Sequence, residues 1–379
     1  RLCVIHVALQ GCPSYQRVVH VSEARTTAQR SRPLAIIRAV FDHLPRVSLA
    51  TLPTPLTEAR GLRVALGGET RCPRILIKRD DLTGLGLGGN KARKLEFLVG
   101  DALRQNATCL VTTGAVQSNH ARMTAAAARV AGLDVVLVLT TTTPTPDVQG
   151  NYLLDHLYGA EIELIPAGTD PLLAVAPDEE VRVRAVVERL RARGQRPYVI
   201  VVGGSSGVGA LGYVDGTREL VEQLRASGLA PSRLYYAAGS RGTQAGLELG
   251  SRLFAPSYQL HGIAVSGGEV EKCVRAARIA TEAAALLRCG VVIRPDEVSS
   301  RQDQIGDGYG IPTPACLEAI HLLARHDGIV LDPTYTAKAM AGLIADVRAG
   351  AIALNEPIAF LHTGGVPAIF AHAEALLGR

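Results

Sequence analysis

The sequence predicts an α/β protein with two mostly parallel open sheets, each flanked by helices. Three observations carry that prediction. Apolar runs of strand length alternate with helical segments of roughly 10–15 residues, the order that gives parallel sheets. Hydrophobic residues fill 47% of the 379 positions, yet aromatics fill only 4% and tryptophan is absent. A core made of Ala, Val, Leu and Ile suits strands covered by helices on both faces. The alternating units are too many for one compact sheet, so two domains are expected.

Residues 1–44 begin without methionine, hold only two acidic residues (Glu23 and Asp42), and are expected to be a poorly ordered N-terminal extension. Their apolar run CVIHVAL is too short for a signal peptide. From Pro45 the pattern becomes globular. A Pro-rich extended entry leads to a short helix, and RILIKRDD is a strand entering a glycine loop. Residues 91–105 form a helix, 108–114 a strand, 118–132 a helix closed by Gly132, and 134–140 a strand. Helices are expected over 147–158 and 179–194, and strands over 160–166 and 198–204. In the later half, helices are expected over 216–228, 243–254, 269–288, 312–328 and 336–350. Strands are expected over 233–240, 259–267 and 357–365.

Composition excludes several classes. Net charge is +5, but the arginines are scattered and no basic-aromatic stripe suggests nucleic acid. The seven cysteines form no CxxC pair, which argues against zinc ribbons and for reduced thiols in a cytoplasm. No metal site is expected. No apolar run reaches the ~18 residues of a membrane helix.

The chemistry concentrates at a few junctions. KRDDLTGLGLGGNKARKLEFL (78–98) joins four glycines, Asn90-Lys91 and a strong helix former. A helix start presents free N–H groups to an anion. Lys91, flanked by Arg93 and Lys94 and partly buried, is expected to have a depressed pKa and to serve as an amine nucleophile. The alternative is a solvated basic helix start. Gly84-x-Gly86-x-x-Gly89 matches a dinucleotide fingerprint, but four residues separate it from its strand and the next strand ends without a carboxylate. Gly203-Gly204-Ser205-Ser206-Gly207 matches a nucleophile elbow, and Asp332 and His362 follow in hydrolase order. Against that serine-hydrolase alternative, no HGG-type oxyanion loop lies upstream, and Val208–Gly212 makes a poor elbow helix. Gly239-Ser240-Arg241-Gly242-Thr243 is a strand-loop-helix junction suited to phosphate; the alternative is an ordinary tight turn. It lacks the Gly-Lys-Ser/Thr ending of a nucleotide loop. Ser118 opens a helix, either as an N-cap or as part of a polar anion binder with Asn119 and His120. A Schiff-base lysine, a phosphate cup and a polar helix start together imply pyridoxal phosphate.

On the segments PRVSLATLPTPL, IKRDDLTGLGLGGNKARKLEFL, TTGAVQSNHAR, GSRGTQAGL, GYGIPT, LDPTYTAKAMAGL and FLHTGG, the chain resembles the tryptophan-synthase-β-like (fold type II) pyridoxal-phosphate enzymes. Within them it is most similar to the D-cysteine desulfhydrase / 1-aminocyclopropane-1-carboxylate deaminase family. The resemblance implies a cofactor in a cleft between two domains and a homodimer acting on a small amino acid. The expected division is a large cofactor-binding domain (45–93 and 204–379) and a small domain (94–203). The resemblance makes Lys91 the lysine that bonds the cofactor, with Lys94 and the loop Gly239, Ser240, Arg241, Gly242, Thr243 on its phosphate. It puts Asn119 on the phenolic oxygen and Thr363 at the pyridine nitrogen. Ser118, Asn119, His120, Tyr309 and Tyr335 would meet the substrate, with Lys91, Ser118, Tyr309 and Tyr335 catalytic.

Cyclopropane deaminases of this family carry glutamate and leucine where this chain has Thr336 and Thr363, so β-elimination of thiolate from D-cysteine is favoured. L-cysteate sulfo-lyase is the runner-up, then the deaminase. Arg241 and Ala337 stand where glycine is commoner. Arg241 is expected either to add charge to the cup or to point to solvent.

Overall fold

The short strands Ile75–Lys78 and Ile358–Leu361 are buried along their whole length, Lys78 included. They lie in the interior of a five-stranded sheet. The computed structural model describes residues 41–170, 176 and 178–378, so nearly all of the 1–44 extension, with Cys3 and Cys12, falls outside the described residues. Numbering strands in chain order, the first sheet runs β1 (Leu56–Glu58), β2 (Ile75–Lys78), β9 (Ile358–Leu361), β7 (Arg233–Ala238), β8 (Gln259–Ala264). Only the edge strand β1 is antiparallel, and the other pairs are parallel. The second sheet is wholly parallel, in the order β5 (Glu161–Pro166), β4 (Asp134–Thr141), β3 (Cys109–Ala115), β6 (Pro197–Ile200).

Each sheet divides its side chains by the strand's two-residue period, and both faces are apolar. In the first, Ile75, Ile77, Ile358 and Phe360 share one core with Leu331, Met340 and Leu343. Leu76, Ala359, Leu361 and Tyr236 join Tyr213 and Leu247 on the other. In the second, Leu110, Val135 and Leu137 pack on one side, and Val111, Val136 and Val138 on the opposite side.

The helices, numbered likewise, are α1 (Arg60–Ala65), α2 (Lys91–Arg104), α3 (Asn119–Val130), α4 (Gly150–Leu157), α5 (Glu179–Ala192), α6 (Gly207–Ala226), α7 (Gly242–Phe254), α8 (Glu269–Leu286), α9 (Pro314–Asp327), α10 (Thr336–Arg348) and α11 (Ala373–Leu377). Local chemistry sets their ends. Thr313 caps α9 by accepting from Cys316 N, Pro314 opens it, and Gly328 closes it with φ 66°. Most elements match the sequence expectation, but the strands expected over 198–204 and 357–365 end at Ile200 and Leu361, the edge strand β1 is not among those expected, and α6 starts at Gly207 rather than at 216. Gly207, Gly209, Gly212 and Gly216 lower its helix propensity. They are there for packing: a Cβ at Gly212 would lie 2.3 Å from Arg93 O, and one at Gly207 2.7 Å from Glu282 Cβ. Gly212 and Gly216 let α6 lie directly against Arg93 of α2, while Gly207 accommodates α8.

Candidate active site

Parallel strands deliver their connecting loops to one edge of a sheet, and ligands collect there. Four loops implicated by the sequence leave such C-terminal strand ends. The turn before Lys91 follows β2, Ser118 follows β3, the 239–243 loop follows β7, and Thr363 follows β9.

The turn that presents Lys91 is built from backbone angles that only glycine adopts freely. Gly84, Gly86, Gly88 and Gly89 have φ of 84°, 50°, 77° and 132°. Thr83 ties the turn by accepting from Gly89 N and donating to Gly89 O, both 2.8 Å. Asn90 then fixes it to two other loops: its N–H donates to Thr363 O at 2.9 Å, and its Nδ2 donates to Thr243 Oγ1 at 3.0 Å. Lys91 is the first residue of α2. Burial pushes its ammonium down to about 8, against the opposing pull of the Asp332 carboxylate.

The 239–243 loop forms a cradle at the start of α7. Gly242 N donates to Ser205 Oγ at 3.2 Å, and Ser205 Oγ donates to Ser240 Oγ at 2.8 Å. A Cβ at Gly242 would lie 2.7 Å from Lys94 Nζ and 2.8 Å from Ser205 Oγ. Lys94 is fully buried and donates to Gly203 O at 3.0 Å. Burial, then the charges of Lys91 and Arg275, push its pKa well below the usual lysine value. An ammonium in that position, beside a helix N-terminus and without a carboxylate, lacks a counter-anion.

Opposite stand the polar residues of α3. Ser118 caps the helix, accepting from Ala121 N at 3.2 Å. Asn119 Oδ1 accepts from Asn151 Nδ2 at 2.9 Å. The His120 ring is buried. Thr112 Oγ1 spends its proton on Ile200 O, so it accepts from His120 Nε2–H at 2.8 Å. That leaves His120 Nδ1 as a buried lone pair with no partner. Burial, with Lys91 and Lys94 nearby, keeps the ring neutral. His120 Cε1 lies 3.6 Å from a Cβ placed at Gly204, as does Lys94 Cδ, so the α3 residues meet the Lys94 side of the cradle.

Tyr309 and Tyr335 form an edge-on pair with ring centroids 5.9 Å apart and their hydroxyls in contact. Tyr335 Cε1 is 3.3 Å from a Cβ at Gly239, which sets the pair beside the cradle. Burial raises both pKa values, so both are neutral phenols. Asp332 organises their support. Its carboxylate accepts from the N–H groups of Thr334, Tyr335 and Thr336 and from Thr336 Oγ1. The structure thus gathers Lys91, Lys94, Ser118, Asn119, His120, Tyr309, Tyr335, Thr363 and the 239–243 loop in one region.

Three expectations need correction. Arg241 neither charges the cup nor faces solvent. Its backbone is left-handed (φ 75°), and its buried guanidinium pairs with Glu269 and donates to Gln244 Oε1 and Ser300 Oγ. Its Nη atoms are spent on the scaffold, and its Nε is buried without a partner. The hydrolase arrangement fails because Ser205 is bonded to Ser240 and Gly242. Both nitrogens of His362 are used elsewhere, Nε2–H donating to Val330 O and Nδ1 accepting from Gly364 N. Arg93 does not depress the Lys91 pKa. It is neutralised in a buried network with Asp80 and Glu219, and burial does the depressing. Sequence reasoning missed Arg122 and Asn151, which hold the glycine turn and Asn119. Nothing in α4's short sequence marks Asn151, and Arg122 reads as an ordinary helix residue.

The groups present fit pyridoxal phosphate. The glycine-floored cradle and the uncompensated Lys94 suit a phosphate dianion, and the buried amine of Lys91 suits an aldehyde. Comparison with known proteins points the same way. The model of the family described as pyridoxal-phosphate dependent enzyme matches residues 47–364. D-cysteine desulfhydrases from Salmonella choleraesuis (strain SC-B67) and Salmonella typhi are each 42% identical over 332 residues, 86% of this chain and 96% of theirs. The crystal structure of an ACC deaminase homologue matches with a TM-score of 0.79 at 38% identity, covering 90% of this chain and 98% of that one. A threonine deaminase from T.th., at 24% identity and a TM-score of 0.58 over 88% of this chain and 97% of its own, shares the fold. Cradle, buried amine and a match along most of the chain agree: this protein belongs to the pyridoxal-phosphate dependent enzymes, with the fold type II architecture of two parallel-dominated sheets.

Proposed function

We propose that the protein is a pyridoxal-phosphate-dependent carbon–sulfur lyase that converts D-cysteine and water to pyruvate, ammonia and hydrogen sulfide. The observation that carries the site assignment is Asn90, which bonds the cradle residue Thr243 and the β9 loop at once and so sets Lys91 between them. The choice of substrate is supported by the 42% identity to D-cysteine desulfhydrases along 96% of their length.

Lys91, Lys94, Asn119, Thr363 and the backbone N–H groups of 239–243 would hold the cofactor, with 45–93 and 204–379 as its large domain and 94–203 as the small one. When bound, pyridoxal phosphate supplies an electron-withdrawing ring that stabilises the charge left at Cα after proton loss. Lys91 Nζ takes the Cα proton, which its lowered pKa equips it to do near neutral pH. Ser118 and the first N–H groups of α3 bind the substrate carboxylate, aided by the helix's positive end. Tyr309 and Tyr335, kept as phenols by burial, orient the substrate and donate a proton toward the departing sulfur. The Cβ–S bond breaks with its electron pair on sulfur, and the enamine product hydrolyses to pyruvate and ammonia. Position 336 holds a threonine, whose hydroxyl donates to Asp332 Oδ1 at 2.7 Å, and not a carboxylate that would strengthen the electron sink. A good leaving group from Cβ needs no stronger one.

The deciding experiment assays purified protein side by side. It compares sulfide from D- and L-cysteine, sulfite from L-cysteate and ketobutyrate from 1-aminocyclopropane-1-carboxylate. Sulfide from D-cysteine is expected to dominate, and a larger specificity constant for any other substrate would overturn the reading. We further propose a cytoplasmic homodimer. All five described cysteines are free thiols, and no helix among the described residues is long and apolar enough to cross a membrane. Light scattering of the holoenzyme tests the dimer.

A further inference from the structure

Arginine is the one side chain here whose hydrogen-bonding polarity is never in question, because guanidinium only donates. Arg122, on α3, is completely buried and ends in a small network of carboxamides. Its Nε donates to Asn151 Oδ1 at 3.0 Å. Asn151 must therefore present oxygen to Arg122, and its Nδ2 must donate on the other side. It does so twice, to Gln117 O at 2.8 Å and to Asn119 Oδ1 at 2.9 Å. Arg122 Nη2 also approaches Asn119 Oδ1, at 3.4 Å. With Oδ1 claimed as an acceptor from two sides, Asn119 has only its NH2 group to offer a ligand.

The relay is rigidly seated. Asn151 is also completely buried, and its backbone N–H donates to Gln117 Oε1 at 3.0 Å. Gln117 Nε2 donates in turn to Gln149 O at 3.1 Å. Arg122 Nη1 donates to Gly88 O at 3.1 Å and to Gly86 O, in the glycine turn that leads to Lys91. One arginine therefore joins the lysine-bearing turn to the orientation of a carboxamide on another loop. No bond in the network has an alternative polarity that leaves every donor and acceptor matched.

We propose that Asn151 is a positioning residue that, oriented by Arg122, fixes the Asn119 carboxamide with its NH2 toward the cofactor oxygen. The inference rests on the reading that Asn119 contacts the cofactor. Donation to that oxygen stabilises its charged form, so the network tunes both cofactor affinity and the chromophore's titration.

Asn151→Asp inverts the relay. Aspartate still accepts from Arg122 but has no proton for Asn119 Oδ1, so Asn119 turns its NH2 to the new carboxylate and its oxygen to the ligand. Asn151→Ala removes the constraint without inverting it. Cofactor dissociation constants and the pH titration of the bound cofactor's visible band are measured for both, for Asn119→Ala, and for Asn119→Ala/Asn151→Asp. Circular dichroism checks folding. The expected result is a loss of affinity of roughly tenfold or more in Asn151→Asp, a smaller loss in Asn151→Ala, and a displaced chromophore titration in both. In the Asn119→Ala background, Asn151→Asp should add less than about twofold. Wild-type affinity and titration in Asn151→Asp would overturn the proposal, as would an undiminished loss on top of Asn119→Ala. If Asn151→Asp does not fold, Asn151→Ala and its double variant decide by the same comparison. A wild-type Asn119→Ala protein would instead overturn the contact reading of Asn119.

Discussion

Arg93 tests how much of the active-site scaffold rests on buried charge. It sits two residues after Lys91, and its guanidinium donates five times. Nε and Nη2 go to the two Asp80 oxygens at 2.8 Å each, Nη1 and Nη2 go to Glu219 at 3.1 and 2.7 Å, and Nη2 goes to Thr54 Oγ1 at 3.0 Å. Lys78 supplies the second cation, bonded to Glu219 and to Thr54 O. Two cations face two carboxylates, all nearly or fully buried. Arg93→Met keeps the length of the side chain but leaves the cluster with an unmatched negative charge. Breaking a buried pair from one side costs about 3–5 kcal/mol. A unit-charge contact at 4 Å and an effective dielectric of 20 gives about 4 kcal/mol. For a chain of this size that lowers the unfolding midpoint by roughly 5 °C.

The measurement is thermal unfolding of cofactor-free protein, because a bound cofactor raises the midpoint by mass action. Arg93→Met/Asp80→Asn should recover part of the loss, since it removes the stranded charge. Acid adds a second check. Burial raises the Asp80 pKa, but Arg93 outweighs it and holds the carboxyl at about 2. A depressed carboxylate stabilises the fold above its unfolded pKa near 4, and that contribution fades as pH falls toward about 2. It amounts to roughly 2 kcal/mol. An Arg93→Met midpoint within about 2 °C of wild type, or no recovery in the double variant, would refute the argument.

Other outcomes follow from the same structure. Lys91→Ala should lower sulfide release by roughly 10³-fold or more and abolish borohydride fixation of the cofactor, read by peptide mass. Cofactor capture by the apoprotein should accelerate as pH rises through about 8, because only the neutral amine of Lys91 attacks an aldehyde; absorbance stopped-flow reads this. Gly242→Ala has a permitted helical backbone but places its methyl 2.7 Å from Lys94 Nζ and 2.8 Å from Ser205 Cα. Cofactor affinity, read by equilibrium dialysis, should fall by roughly tenfold or more, the scale of about 1–3 kcal/mol of overpacking. Asp155 is buried with both carboxyl oxygens unpartnered, and burial raises its pKa to about 8. A raised carboxyl pKa means stability that is complete below about pH 4 and is lost as pH climbs toward 8. Asp155→Asn should therefore gain on wild type by roughly 3 kcal/mol between pH 5 and pH 8 in denaturant titrations.

The sequence displays the segments of this site more fully than the couplings between them. The alternation of strands and helices is local, and so are the glycine turn before Lys91, the small-residue loop after β7 and the cap at Ser118. Each is written in consecutive residues and appears where periodicity places it. The partners of charged side chains are not local. Arg93 meets Glu219 across 126 positions, and Arg241 meets Glu269 across 28. No spacing rule connects them, so from sequence Arg93 reads as a charge acting on Lys91 and Arg241 as a candidate for the phosphate cup. The early start of α6 was hidden for a related reason. Its glycines argue against a helix until the backbone of α2, which they accommodate, is known.

Those hidden pairings explain the site's electrostatics. Arg93, Arg122 and Arg241 are among the largest fully buried side chains, and all lie on elements that build the site. Arg93 and Arg241 are matched by Asp80, Glu219 and Glu269, and Arg122 is engaged by backbone carbonyls and carboxamides. Their guanidinium groups are engaged by the scaffold, apart from Arg241 Nε, which is buried without a partner. Beside the cradle stand Lys91 and Lys94, whose pKa values burial lowers, with the charge of Arg275 also acting on Lys94. A phosphate dianion entering there meets two partly desolvated amines and a helix N-terminus that lack a counter-charge. Pairing Arg93 and Arg241 with carboxylates of the scaffold leaves the cradle to the two lysines, one for the phosphate and one for the aldehyde carbon.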